Sequence, residues 1–224
     1  MGDRIEAARW GGKLAQEGPP LQQERARQTR RSILRVAAEE FAANGFRSTS
    51  LMSVARRAQI TKGAIYHHFS SKENLAASVV EEHYALWPAL VEETRAEGRS
   101  AMATVVTLLD RVAEVFRDDP LVQASARLQL ERSVIEVPLP TPFVGWTALL
   151  TELFEAARAE GGLRPECRPE VLARVVVAAF FGVQHISDAL HQRADIVERW
   201  QEVKETLLPG ICAPGTAAAL TTCR

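Results

Sequence analysis

Apolar residues recur at helical spacing along almost the whole of this chain, and no stretch alternates as a strand would. A first helix is predicted over residues 23–43, with Ile33, Val36, Ala37 and Phe41 on its inner face and Asn44-Gly45 as its stop signal. Leu51, Val54, Ala55 and Ala58 then fall at i, i+3, i+4 and i+7, behind Ser50 as N-cap. After a turn at Gln59 and Ile60, Thr61 caps a third helix over 62–68, which Ile65 and Phe69 point back toward the second. That leaves Thr61, Lys62, Gly63, Tyr66 and His67 as a polar, basic outer face. A DNA-reading helix needs this division: one side packed on its own domain, the other free to reach phosphates and base edges.

One long helix is predicted over 72–97, carrying Leu75, Val79, Val80, His83, Tyr84 and Trp87, and further helices over 101–117, 121–132, 143–160, 169–191 and 195–208. Three prolines keep 134–142 (VIEVPLPTP) out of regular helix. Residues 169–191 are apolar nearly all round, which predicts burial on several sides and a second copy of the chain as part of the cover. The predicted class is all-α: an N-terminal three-helix helix-turn-helix domain plus a larger C-terminal helical domain. The expected division is a flexible arm over 1–23, the reader over 24–71, the second domain over 72–208 and a flexible tail over 209–224.

Composition adds little until it is divided along the chain. The formal net charge of −1 hides thirteen Lys/Arg against six Asp/Glu in residues 1–72, a formal +7, and fourteen against twenty-two in the remainder, a formal −8. Only the first third is suited to a polyanion. No run of about 18 consecutive apolar residues suggests a membrane span, and the N-terminus lacks the apolar core of a secretory signal, so a cytoplasmic location is expected. Cys167, Cys212 and Cys223 are widely spaced and read as ordinary thiols, with no metal site and no cofactor implied.

The string TKGAIYHHFSSKENL over residues 61–75, with TRRSILRVAAEEFAANGF over 29–46, resembles the helix-turn-helix region of TetR-family repressors over roughly residues 24–85. The resemblance implies that Lys62 and Gly63 open the recognition helix and that Tyr66, His67 and Lys72 meet the DNA backbone. Arg30, Ser50 and Thr61 complete the expected DNA-binding set. One position departs: the turn residue is often Gly in the family and is Gln59 here, so a modest strain is expected. The resemblance also implies a homodimer whose last two helices form a four-helix interface. Phe180, Phe181, Trp200 and Val203 belong either there or in the subunit's own core. Two readers about one duplex turn apart, roughly 34 to 36 Å, would take double-stranded DNA with a palindromic operator.

Residues 124–150 (ASARLQLERSVIEVPLPTPFVGWTALL) resemble a narrower branch, the γ-butyrolactone-type autoregulator receptors of actinobacteria. That implies a small-molecule signalling ligand: a γ-butyrolactone, butenolide or alkyl furan carboxylate. Trp146 matches the pocket tryptophan of that branch, and Tyr84, His83, Gln129, Phe143 and His185 are further candidates. Each has an ordinary alternative: Trp146 as core filler, Gln129 on a solvated face, His185 paired with Asp188. Arg127 either counters a ligand carboxylate or pairs with Glu131 at i+4. The alternative function is a TetR-type repressor of an efflux or metabolic operon that responds to a drug or metabolite. No catalytic residue is expected, since the chain has neither a G-x-S-x-G elbow nor an H-E-x-x-H motif.

Overall fold

The computed structural model describes residues 20–221 and is helical apart from its turns, loops and one isolated bridge. Residues 1–19 of the expected arm, and Cys223, lie outside the described residues. The helices are α1 (Pro20–Ser48), α2 (Leu51–Arg57), α3 (Lys62–His68), α4 (Lys72–Tyr84), α5 (Trp87–Ala96), α6 (Ala101–Asp118), α7 (Pro120–Leu130), α8 (Val144–Ala159), α9 (Pro169–His191), α10 (Ile196–Ile211) and α11 (Thr216–Thr221). A 3₁₀ turn, Arg132–Val134, follows α7. The chain divides into two compact units, the first comprising residues up to Trp87 with Asp119–Thr141, the second Pro88–Asp118 with the residues from Pro142 on.

In the first unit α1 lies against α2, α4 and α7, burying Ile33, Val36, Ala37 and Phe41 as the apolar pattern required. α1 begins at Pro20, inside the expected arm, because proline is well suited to the first turn of a helix, where no N–H is needed. The predicted stop at Asn44-Gly45 is a break rather than an end: Gly45 sits at φ 75°, ψ 179°, and a last turn continues to Ser48. Thr49 ties that turn down, its hydroxyl donating to the Gly45 carbonyl at 2.8 Å. The buried face of α7 is Val122, Ala124, Ser125, Ala126 and Leu128, small enough in the middle for its backbone to come close to α1 and α4. The compact units do not divide at the expected boundary of residue 71. Residues 72–87 and 119–141 pack with the reader.

The expected helix over 72–97 is also corrected, since it is two helices. α4 ends on Ala85, and Pro88 explains why: its ring would collide with the Tyr84 carbonyl of a continuous helix and it has no N–H to offer. Gln59 occupies the turn between α2 and α3 at φ 55°, the left-handed region anticipated there. Gln59→Gly should therefore stabilise the protein by about 1 kcal/mol. Urea unfolding of the two proteins side by side checks this, and an unchanged midpoint would show that the turn carries no strain.

The second unit packs α9 against α8 and α10, and α6 against α8 and α10. Phe180 sits between Phe116 (ring centroids 5.5 Å apart) and Trp200 (5.2 Å), so Phe180 and Trp200 belong to the subunit's own core and not to a surface. Phe181 and Val203 are half-buried. α9 is long and apolar enough to cross a membrane, with a mean hydropathy of 1.4 over its best 18-residue window, although no 18 consecutive positions are apolar. One stripe of it, Ala173, Val176, Phe180, Gln184 and Ser187, is buried within the unit. Another, including Val175, Ile186 and Leu190, is exposed. Residues 209–221 of the expected tail carry regular structure: α10 runs through Pro209 to Ile211, Leu163 and Cys212 form an antiparallel bridge, and α11 follows.

Candidate functional site

Three hydroxyl caps build the reader. Ser50 and Ser53 form a reciprocal capping box at the start of α2, with N–H to Oγ distances of 3.0 and 3.1 Å. The Thr61 hydroxyl accepts from the Ala64 N–H at 3.1 Å, and Ser71 does the same for Asn74 at 3.1 Å. The turn between α2 and α3 closes through Ile60 N–H donating to Ala55 O at 3.0 Å. Ile65 is wholly buried and Phe69 nearly so, which fixes the roll of α3 and sends Thr61, Lys62, Gly63, Tyr66 and His67 outward.

On that outer face the Lys62 ammonium lies 5.9 Å from the centre of the Tyr66 ring, and Tyr66 is 46% exposed. Among the described residues, a Cβ on Gly63 would find nothing nearer than the Thr61 hydroxyl at 3.9 Å, so none of them requires glycine there. What the missing side chain provides is bare backbone for a partner to approach. His68, on the flank of α3, has its pKa lowered by burial first and then by His67 and Arg30.

Two of the expected DNA contacts also hold the reader together. Arg30 donates to the Ser78 hydroxyl at 3.2 Å and lies 4.7 Å over the Phe69 ring. Lys72 donates to the Phe46 carbonyl at 3.0 Å, with its ammonium 4.2 Å from the centre of the Phe46 ring. Beside them, Thr49, Ser50, Tyr66, Ser70, Ser71 and Lys72 line a shallow groove. Ser70 and Ser71 were not singled out in the sequence, although the run S-S-K ahead of an apolar helix is a capping signal that could have marked them.

The sensor candidates fall in both units. In the first, Tyr84 is buried and its phenol is pushed up to about 12 by that burial, so it is a neutral donor near pH 7. The Gln129 amide nitrogen donates to Pro140 O at 3.0 Å and lies 3.5 Å from the Tyr84 hydroxyl, while the buried amide oxygen has no hydrogen-bond partner among the described residues. Gln129 is thus turned inward rather than onto a solvated face. His83, which precedes Tyr84 on α4, is buried beside Ser125, with 2.5 Å between Nδ1 and Oγ, and desolvation lowers its pKa to about 3.

In the second unit, Phe143 begins α8 at φ 69°, an uncommon backbone conformation for a bulky residue, with its ring 4.8 Å from that of Phe181. Phe181 stacks in turn on His185 at 6.2 Å, and His185 is exposed. Trp146, one turn into α8, is half-buried. The residue passed over is Gln184, 1% exposed, neither of whose amide atoms has a hydrogen-bond partner among the described residues. A buried amide with both ends unmet is costly and marks a place where a polar guest would be stabilised. Arg127, left open between ligand and ion pair, bonds Glu131 at 3.3 Å and two carbonyls of α1.

Residues 33–79 match the family model for bacterial regulatory proteins of the tetR family. The A-factor receptor protein of Streptomyces griseus is 33% identical over 196 residues, covering 88% of this chain and 68% of that protein. A solved structure described as the molecular basis for control of antibiotic production by bacterial hormones is 53% identical, with a TM-score of 0.79 over 83% of this chain and 98% of its own. CprB of Streptomyces coelicolor, solved in complex with its biological operator sequence, aligns at 27% identity with a TM-score of 0.79, over 88% of this chain and 95% of its own. The chain therefore belongs to the tetR family of bacterial regulatory proteins, and is a DNA-binding regulator rather than an enzyme.

Proposed function

We propose that this protein is a cytoplasmic, homodimeric repressor that occupies a palindromic operator and leaves it on binding a small signalling molecule of the γ-butyrolactone, butenolide or alkyl furan carboxylate class. The observation that carries the reading is the pairing of a capped, outward-facing basic helix with the Tyr84–Gln129 couple in the same compact unit. α4 begins with Lys72 at the reader and ends with Tyr84, so a guest at Tyr84 acts on the helix that also carries a proposed phosphate contact. Tyr84 supplies a donor, Gln129 an unmet acceptor, and a lactone carbonyl, hydroxyl or carboxylate can use them. The left-handed Phe143 supports a ligand wall at the head of α8, because backbone strain concentrates where function holds it. The exposed apolar stripe of α9 supports the dimer, as a second copy would cover Val175, Ile186 and Leu190.

Release is a population shift. A ligand that fits better when α4 and α7 move draws the dimer away from the operator, and full switching needs about 10⁴-fold differential affinity, about 5.5 kcal/mol. The test is a gel shift on DNA flanking the protein's own gene, titrated with a synthetic γ-butyrolactone and an alkyl furan carboxylate. Binding followed by release supports the reading, and Trp146→Ala should keep operator binding while blunting release. Binding released only by a drug or metabolite would favour an efflux or metabolic regulator. No binding to any such fragment would overturn the proposal.

A further inference from the structure

Three hydrogen bonds tie the Arg127–Glu131 pair at the end of α7 to the break in α1, and a fourth joins the two members of the pair. Arg127 Nη1 donates to the carbonyls of Ala42 at 2.9 Å and Ala43 at 3.0 Å, two of the last carbonyls before Gly45. Glu131 Oε2 accepts from the Phe46 N–H at 2.9 Å, and Glu131 Oε1 accepts from Arg127 Nε at 3.3 Å. One ion pair thus serves both sides of the break, meeting the open carbonyls of a helix end and the first amide beyond it. Gly45 is required for this closeness: a Cβ there would stand 2.6 Å from Glu131 Oε1 and 3.0 Å from Arg127 Nε, at a φ of 75° that side chains resist.

What the pair grips is connected directly to the DNA-facing parts. Phe46, whose N–H is held by Glu131, offers its carbonyl and its ring to Lys72. Gly45, between the two grips, offers its carbonyl to Thr49, the residue before the Ser50 cap of α2. α7 is only eleven residues long, and Gln129 stands on it between Arg127 and Glu131.

We infer that Arg127 and Glu131 are positioning residues through which α7 sets the bearing of the reader, by holding the Gly45 break in α1. Movement of α7 is then delivered to α2 and to Lys72 at once. The inference rests on the proposed function, in that Gln129 is there a ligand contact, and it supplies the mechanical joint which that reading leaves unspecified.

The experiment compares full-length wild type with Glu131→Ala, Glu131→Gln and Arg127→Lys by amide hydrogen exchange and by operator binding across a salt series. In Glu131→Ala, exchange over residues 46–50 should rise about tenfold, while that of the α4 core stays as in wild type. Operator affinity should fall about tenfold with the salt slope unchanged, because no phosphate contact is lost. Glu131→Gln keeps an acceptor for the Phe46 N–H and should regain most of both. Arg127→Lys keeps the charge but not the fork that spans two carbonyls, and should show an intermediate loss even if the alanine variant folds poorly. Unchanged exchange over 46–50, or exchange that rises equally throughout the unit, would overturn the inference. A wild type that binds no DNA would instead overturn the proposed function, and the exchange result would still decide this one.

Discussion

Acidification from pH 7.5 to 5 should cost this protein about 2 kcal/mol of stability, and the source is a single buried imidazole. His83 is 6% exposed, and desolvation lowers its pKa from 6.5 to about 3. Between those two values the unfolded chain binds a proton that the folded chain refuses, so stability rises with pH across that window. The contribution is fully present above 6.5 and is lost progressively as pH falls toward 3. The groups packed on the ring include the Ser125 hydroxyl at 2.5 Å, the Tyr84 ring at 5.1 Å and the Trp87 ring at 4.9 Å, all of them neutral near pH 7. Glu97, Asp118 and Asp195, whose pKa values are lowered by hydrogen-bonded partners, act in a different window, losing their contribution only when pH falls below the ordinary carboxylate range. Urea unfolding at pH 7.5, 6 and 5 measures the slope. His83→Asn, which keeps a nitrogen near Ser125 but cannot titrate, should be less stable at neutral pH yet flat across the window. If it retained the wild-type slope, the acid sensitivity would lie elsewhere. Because Tyr84 is the next residue and Ser125 lies on α7, the same protonation disturbs the proposed sensor couple.

Caps and short-range spacing made the reader legible. Ser50 and Thr61 cap the helices they precede, and Ile65 and Phe69 are buried as the 3.6-residue period demands, because each decision is settled within a few residues of sequence. The places where expectation and structure part are settled over longer distances, or by signals that were present and outweighed. Pro88 was visible, but the apolar stripe running from Leu75 to Trp87 favoured one helix, and the proline's conflict with the Tyr84 carbonyl decides for two. The membership of α7 in the reader's unit depends on the smallness of Ala124, Ser125 and Ala126, which matters only once α1 and α4 are adjacent. On α9 the pattern is apolar nearly all round and therefore names no inner face. One position of register separates the exposed His185 from the buried Gln184, and the pattern does not tell which of them faces inward. Likewise Arg127 and Glu131 look like an ordinary i, i+4 pair in the sequence; their partners at Ala42, Ala43 and Phe46 lie 84 or 85 residues away.

Lys62→Ala and Lys72→Ala should weaken operator binding in two distinguishable ways. Lys62 opens α3, is exposed and has the Tyr66 ring as its neighbour, so its ammonium is available to the edge of a base pair in the major groove. Its loss should cost about 1–3 kcal/mol on the cognate operator and much less on a mismatched one, so that discrimination between the two collapses. Lys72 stands at the groove beside Ser70 and Ser71, with its ammonium already oriented by the Phe46 carbonyl and ring. A cation held in this way suits a phosphate: it positions the protein but reads no sequence. Lys72→Ala should therefore weaken cognate and mismatched DNA alike and reduce the salt slope by about 1. It should also lower the unfolding midpoint, because the Phe46 carbonyl loses its donor, whereas Lys62→Ala, on an exposed face, should not. Tyr66→Phe completes the comparison, removing one hydroxyl and no charge, so that affinity falls while the salt slope stays. Anisotropy titrations on an operator and a scrambled duplex at several salt concentrations separate these outcomes. A Lys62→Ala protein that still told the two duplexes apart would place sequence reading on some other part of the reader.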